Sequence, residues 1–248
     1  MWLGGGVMRL AALAVAYKEE RFIPKYIQSL QDRVDEILVL NSVKPWHGER
    51  AKDDRTAKIA ESLGVTVIQY SWDSEEEQRN WGLDFLQDYD WVLVLDPDEY
   101  LTEDQWLTLY DWLEKGGGPA DAYVCSQQNT YWKNGFIIDP PEDYKQIIAV
   151  KPHVRFVDKR VVNCGWAHAP VVLEHFSWAR TDEEVWDKIT HYGHANEFDT
   201  EKWFNEVWKS DKTEDLHPLT PSALKKAIRV QLPEELEKLQ LWPNLKKI

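Results

Sequence analysis

Three carboxylates close the run Trp91-Val92-Leu93-Val94-Leu95-Asp96-Pro97-Asp98-Glu99-Tyr100. In an extended segment residues two apart point the same way, so Asp96 and Asp98 can present both side chains to one ion, while Pro97 fixes the turn between them. Two carboxylates that close repel each other unless a cation or a proton lies between them. Hard oxygen ligands, with positions left over for phosphate oxygens, suit Mg2+ or Mn2+. An isolated Asp-x-Asp is equally an acidic loop ending in a helix cap. Here it follows five apolar residues that read as a strand buried on both faces, at the carboxyl end of a βαβ series, where open α/β sheets place their ligands.

The elements that must position this pair alternate through the first half of the chain. Leu10 to Tyr17, Ile37 to Leu40, Val65 to Gln69 and Trp91 to Leu95 read as strands. Between them, helical spacing runs through Phe22, Ile23, Tyr26, Ile27 and Leu30, then through Thr56, Ile59, Ala60 and Leu63, then from a capping box at Ser74 and Glu77 to Phe85. This order implies a mostly parallel open sheet with helices on both faces. A further helix opens at Thr102 and Gln105 and breaks at Gly116-Gly117-Gly118-Pro119, the clearest internal seam. Beyond it short strands are expected at Ala122 to Ser126, Thr130 to Ile138, Ile147 to Val150 and Val171 to Trp178, in mixed pairing. Helices return from Thr181, boxed with Glu184, through Trp203 and Trp208, two tryptophans at a spacing that suits a core. The tail is expected to be helical at Ala223 to Val230 and Glu234 to Leu241. The expectation is one α/β domain over residues 1–248, with a ligand-binding half to about 115, a second half over 120–210 and a helical tail from 221.

Composition sets outer limits. A chain of 248 residues and 29.1 kDa with 43% hydrophobic residues can bury a full core. Its formal charge of −14 argues against general nucleic-acid binding, which needs a basic footprint. Cys125 and Cys164 are too few for a disulfide framework, so a reducing, cytoplasmic setting is expected. The apolar stretch Leu10 to Ala16 behind Arg9 is short enough for a signal-peptide core, but it leads straight into a helix and reads better as a first strand, with Met1 to Met8 as a leader. No run approaches the roughly 20 apolar residues of a membrane span.

Four motifs in order carry a family resemblance: Leu13-Ala14-Val15-Ala16-Tyr17-Lys18-Glu19-Glu20, Asp35-Glu36-Ile37-Leu38-Val39-Leu40-Asn41-Ser42, Gln78-Arg79-Asn80-Trp81-Gly82, and Asp90-Trp91 through Asp98-Glu99. Together they resemble the family 2 glycosyltransferases, which have the GT-A fold. The likeness covers about the first 115 residues well and the rest loosely, through His153 to Phe156 and Glu174-His175-Phe176-Ser177-Trp178. It implies transfer of a sugar from a UDP- or GDP-sugar donor to an acceptor hydroxyl, with a divalent ion bridging the diphosphate and the Asp-x-Asp pair. Asp98 is then the metal ligand, Asp96 touches the ribose or the metal through water, and His175 on the late strand is a third ligand.

The switch-point rule places base and ribose recognition at the ends of strands one and two, at Ala16, Tyr17, Glu19 and Asn41. Asn41 departs from the aspartate common in the family; Asp53 or Asp54 could take over, and Trp46 could stack on the base. Arg79 could pair with the diphosphate or form a helix-surface ion pair. The catalytic base is less defined, because the glutamate of the family's His-Glu pair is missing before the late strand. His168 in Gly165-Trp166-Ala167-His168, Glu142 or Asp143 could fill the role in an inverting transfer, or a retaining enzyme would use none. Three other readings differ in chemistry. A haloacid-dehalogenase-type phosphatase normally carries its Asp-x-Asp on the first strand, not the fourth. A nucleotidyltransferase usually has a glycine-rich, basic loop where Lys18-Glu19-Glu20 stands. A non-catalytic sugar-binding module would use some of the 14 tryptophans.

Overall fold

The computed structural model describes residues 7–50, 54–133 and 135–243. In chain order the first half runs β1 (Leu10–Ala16), α1 (Ile23–Leu30), β2 (Glu36–Ser42), α2 (Thr56–Ser62), β3 (Thr66–Tyr70), α3 (Glu75–Phe85), β4 (Trp91–Leu93), β5 (Glu99–Tyr100) and α4 (Glu103–Glu114). The second half runs β6 (Ala122–Trp132), β7 (Phe136–Asp139), β8 (Ile147–Val150), β9 (Phe156–Asp158), β10 (Val161–Val162), β11 (Ala167–Trp178), α5 (Asp182–His191), α6 (Thr200–Trp203) with a π-helical turn over Phe204–Trp208, β12 (Lys226–Arg229) and α7 (Glu234–Lys238).

The large sheet has the order β12-β7-β6-β8-β4-β1-β2-β3, with β11 paired to β6 and to β5. Strands β3, β2, β1 and β4 are parallel. From β8 onward the pairing is mixed: β8 runs antiparallel to both β4 and β6, while β11 is parallel to β6. This α/β architecture is that of the GT-A fold. Alternation along β1 serves two layers: Leu10, Ala12 and Ala14 pack against α1, α2 and α4, whereas Ala11 and Leu13 face α3 through Leu83. Since β4 lies between β1 and β8, the strand carrying the carboxylates is central.

The capping signals hold at all three helices. Ser74, Thr102 and Thr181 each accept a hydrogen bond from the backbone N–H three residues on, and at Thr181 Glu184 also closes the reciprocal bond. At Ser74 Glu77 instead accepts from the backbone N–H of Asp73.

Three segments differ from expectation. The stretch 130–138 is two strands, because Lys133 and Gly135 both take positive φ and reverse the chain between β6 and β7. The strand that the resemblance implies at His153 to Phe156 is present only at Phe156, the start of β9: β8 ends at Val150, the chain turns after it, and His153 and Arg155 reach outward to Asp121 and Asp84. The first tail helix is strand β12, antiparallel to β7. The β7 edge offers backbone partners to residues 226–229 that an isolated helix would lack. The second tail helix is present as α7. Leu10 to Ala16 is the buried first strand; of the leader segment, residues 1–6 lie outside the described residues.

Candidate functional site

A cavity of about 980 Å³ opens where the parallel strands end, between that edge and the second half of the chain. Asp96 and Asp98 form its floor. Just past β4, the backbone N–H of Asp96 donates to the Glu99 carboxylate at 2.9 Å, and the Glu99 N–H donates to the Asp96 carbonyl. The three-carboxylate turn therefore braces itself. Strand β5 then pairs with β11, setting Glu99 opposite His175, while the Phe176 N–H donates to the Asp98 carbonyl at 2.8 Å. This pairing brings a residue 77 positions away to the floor: His175 Nε2 stands 3.5 Å from Asp98 Oδ1. Phe176 points to the opposite side, into an apolar layer with Tyr100 and Tyr131.

Each aspartate is matched by buried cations. Asp96 accepts from Arg79 at 2.9 Å and from Arg160 at 3.3 Å; Arg160 also donates to Glu99 at 2.5 Å. Asp98, only 3% exposed, accepts on Oδ2 from Arg180 at 2.7 Å and from Lys188 at 2.9 Å. Burial alone would raise the Asp98 carboxyl, but Lys188, His175 and Arg180 outweigh it and hold it well below the usual carboxylate range. At Asp96 burial is likewise outweighed, by Arg79 and Arg160, and its carboxyl is lowered.

Tyr17, Glu19, Trp46, Asp54 and Glu142 also line the cavity. Glu19 holds Arg180 at 3.0 Å, and Trp46 donates its indole N–H to Gln78 at 3.1 Å. Ala16 is buried at the end of β1, opposite Asn41 on β2, and the Asn41 Oδ1 is buried without a protein partner. Asp54 caps Thr56 and accepts from the Glu20 N–H, while Asp53 lies outside the described residues. Arg79 is fully buried, held between Glu75 and Asp96, and is not on the cavity wall. Glu142 is 7% exposed; Lys225 donates to its Oε2 at 2.7 Å, and its Oε1 is buried with no protein partner. The Asp143 side chain is 96% exposed. His168 is exposed near the start of β11, seven residues before His175, which in a strand is about 23 Å away. The geometry thus gathers Asp96, Asp98, His175, Tyr17, Glu19 and Glu142, and leaves His168 and Asp143 outside.

Arg160, Arg180, Lys188 and His217 complete the walls without having been singled out by sequence. The one local signal was Arg180, two residues beyond the late strand. Alternation would turn it away from His175, but the pairing of β11 with β6 shifts register between His175 and Trp178, and Arg180 lies past the strand end.

The donor chemistry suits a hard divalent ion in part. A carboxylate oxygen and an imidazole nitrogen 3.5 Å apart are close to the roughly 3 Å separating adjacent ligands on a six-coordinate Mn2+ or Mg2+. Among the described residues no group of three or more His, Cys, Asp or Glu stands ready to hold an ion.

The family profile described as "Glycosyl transferase family 2" matches residues 12–167. A TPR repeat-containing protein of Synechococcus elongatus is 31% identical over 233 residues, which is 88% of this chain and 52% of that protein. Uncharacterized glycosyltransferases of Rickettsia bellii and Rickettsia felis are 28% and 30% identical over 96 residues, 39% of this chain and 30% and 31% of theirs. The chain therefore spans about half the length of one relative and under a third of the other two. Among the described residues no helix is long and apolar enough to cross a membrane. The matched region runs from within β1 through β2, β3 and β4 and takes in all the residues of the carboxylate turn, and the chain belongs to glycosyl transferase family 2.

Proposed function

We propose that the chain transfers a sugar from a UDP- or GDP-sugar to an acceptor hydroxyl with inversion, using Mn2+ or Mg2+ at Asp98 and His175. The observation that carries this reading is the approach of His175 to Asp98 on the cavity floor at the end of the central strand. Asp96 reaches the ribose or the ion through water. Tyr17 and Glu19 at the end of β1, Asn41 at the end of β2 and Trp46 beyond it supply the base and ribose contacts. When bound, the ion neutralises charge growing on the leaving diphosphate.

Of the three base candidates, Glu142 fits best. Glu142 belongs to the cavity lining and its buried Oε1 lacks a protein partner, whereas Asp143 is exposed and His168 stands outside. In the step proposed, the acceptor O–H gives its proton to Glu142 as its oxygen bonds to the anomeric carbon. The bond from that carbon to the diphosphate oxygen breaks, and the electron pair leaves with the diphosphate. Lys225 on Oε2 holds the carboxylate in place.

The test is calorimetry on Asp98→Asn, which removes a ligand charge and almost no volume. The variant is expected to keep its circular-dichroism spectrum and to lose Mn2+-dependent binding of UDP or GDP. Binding of nucleotide and Mn2+ equal to the parent's would refute the assignment. Product analysis with a panel of labelled nucleotide sugars separates transfer from phosphatase, nucleotidyltransferase or simple sugar-binding behaviour.

A further inference from the structure

The Asp98 carboxylate meets two permanent cations of the protein on one oxygen, and these two are not equivalent. Arg180 is 4% exposed in its side chain, shared with Glu19 at 3.0 Å, stacked over the Phe22 ring at 4.5 Å, and bonded to the Ser177 carbonyl at 3.2 Å. It is fixed on every side. Lys188 comes from α5 on the cavity wall, is 17% exposed, and carries a point charge on a flexible stem. Besides Asp98 at 2.9 Å, its ammonium has two other stations: the Ser177 hydroxyl at 2.9 Å and the Trp178 ring at 5.7 Å. Ser177 and Trp178 can retain it if it leaves the carboxylate.

Charge makes the consequence definite. Asp98 and Glu19 face Arg180 and Lys188, two negative charges against two positive, so this corner is neutral as it stands. A divalent ion added on the Asp98 side would stand beside an ammonium and a guanidinium in a buried site, where like charges are weakly screened. A diphosphate arriving with it brings compensating negative charge and an acceptor for the ammonium.

Resting on the donor reading of this site, we propose that Lys188 is a displaceable counter-ion: it occupies Asp98 until a nucleoside diphosphate draws it away. Metal and donor therefore bind with positive coupling. Lys188 is a positioning residue in this scheme, moving from Asp98 Oδ2 to phosphate, and the ion at Oδ1 beside His175 is freed of the ammonium's repulsion.

Mn2+ titrations followed by the EPR signal of the free ion, without nucleotide and with UDP or GDP, test this on the full chain. The parent should bind Mn2+ weakly alone and about tenfold or more tightly with nucleotide, a coupling within the range usual for linked sites. Lys188→Met should bind Mn2+ alone about tenfold more tightly than the parent and lose most of the nucleotide-dependent gain. Lys188→Arg should behave like the parent, since the charge is kept. Lys188→Gln, which retains a hydrogen bond to Ser177, reads the same quantity if the Met variant misfolds. An affinity for Mn2+ alone in Lys188→Met and Lys188→Gln equal to or below the parent's would overturn the proposal. Loss of Mn2+ binding in Asp98→Asn with no change at Lys188 would sink this inference alone; Mn2+ binding indifferent to Asp98, even with nucleotide, would sink the donor-site reading beneath it.

Discussion

His217 shows how a single side chain can tie stability to pH. Its Nδ1 accepts from the backbone N–H groups of Leu219 and Thr220, at 3.3 and 3.2 Å, which leaves the ring proton on Nε2. Burial pushes its pKa from 6.5 down to about 4; Glu142 opposes the shift, while Lys225, His175 and His194 reinforce it. Between those two values the unfolded chain holds a proton on this ring that the folded chain does not, so folding stability is full above about 6.5 and falls as the pH drops towards 4. The loss is at most about 3 kcal/mol. Urea melts at neutral and acidic pH should show a shallower decline for His217→Gln than for the parent; parallel declines would remove His217 as the cause. Glu142 makes a separate prediction. Glu142→Gln should lower kcat by roughly a hundredfold to ten-thousandfold, the usual contribution of a positioned base, while UDP or GDP binding by calorimetry stays at the parent level. Unchanged turnover would return the search for a base to other groups. At this scale the sequence was legible where chemistry is local. Asp96 and Asp98 stand two apart in the turn that follows a buried strand, although that strand ends at Leu93 and not at Leu95, and alternation alone turns His175 away from Phe176. The cations that neutralise them were not legible, because Arg160, Arg180 and Lys188 lie 64, 82 and 90 residues from the aspartates they meet. A lysine on an amphipathic helix gives no sign of the carboxylate it will reach.

Among the elements, the strand and helix alternation up to α4 was readable because local signals agreed with the tertiary outcome: apolar runs became central strands, and side-chain caps opened three helices. Gly82 within the Gln78-Arg79-Asn80-Trp81-Gly82 motif has a packing reason that spacing does not reveal. A Cβ there would stand 2.6 Å from a Leu13 methyl and 3.1 Å from one of Leu40, so α3 lies so close to β1 and β2 that any larger residue would have to displace the Leu13 side chain. Failures cluster where pairing decides. Ala227 and Ile228 suit a helix face as well as a strand, and it is the backbone of Phe136 to Asp139 that draws residues 226–229 into β12. Likewise His153 to Arg155 stand between two ladders, since β8 has ended at Val150 and β9 begins only at Phe156.

Across the whole molecule, the cavity wall built from the second half depends on how that half packs on itself, and aromatic packing does much of this. Trp203 of α6 meets Trp132 of β6 at 6.1 Å and Trp178 of β11 at 5.1 Å between ring centroids, and its indole N–H donates to the Leu216 carbonyl at 3.0 Å. Val185 and Ile189 of α5 pack into the same cluster. Through it the helix that carries Lys188 and the segment that carries His217 are seated on the strands that carry His175, although none of these tryptophans touches Asp98. The spacing of Trp203 and Trp208 pointed to a core and the structure agrees, but which walls that core joins depends on contacts beyond the reach of periodicity. Removing the ring should act on the cavity at a distance. Trp203→Ala deletes a large buried side chain and a hydrogen bond, at a cost of about 3–5 kcal/mol. Because the parallel strands β1 to β4 have cores of their own, the loss should not spread evenly. Hydrogen exchange should show amides of α5 opening markedly faster in the variant while those of β1 and β2 keep their protection. Nucleotide binding should weaken in parallel, because Lys188 and Ser177 no longer hold a fixed distance from Asp98. Uniform acceleration over all strands, or unaltered nucleotide affinity despite a loosened α5, would show that this cluster does not set the geometry of the cavity.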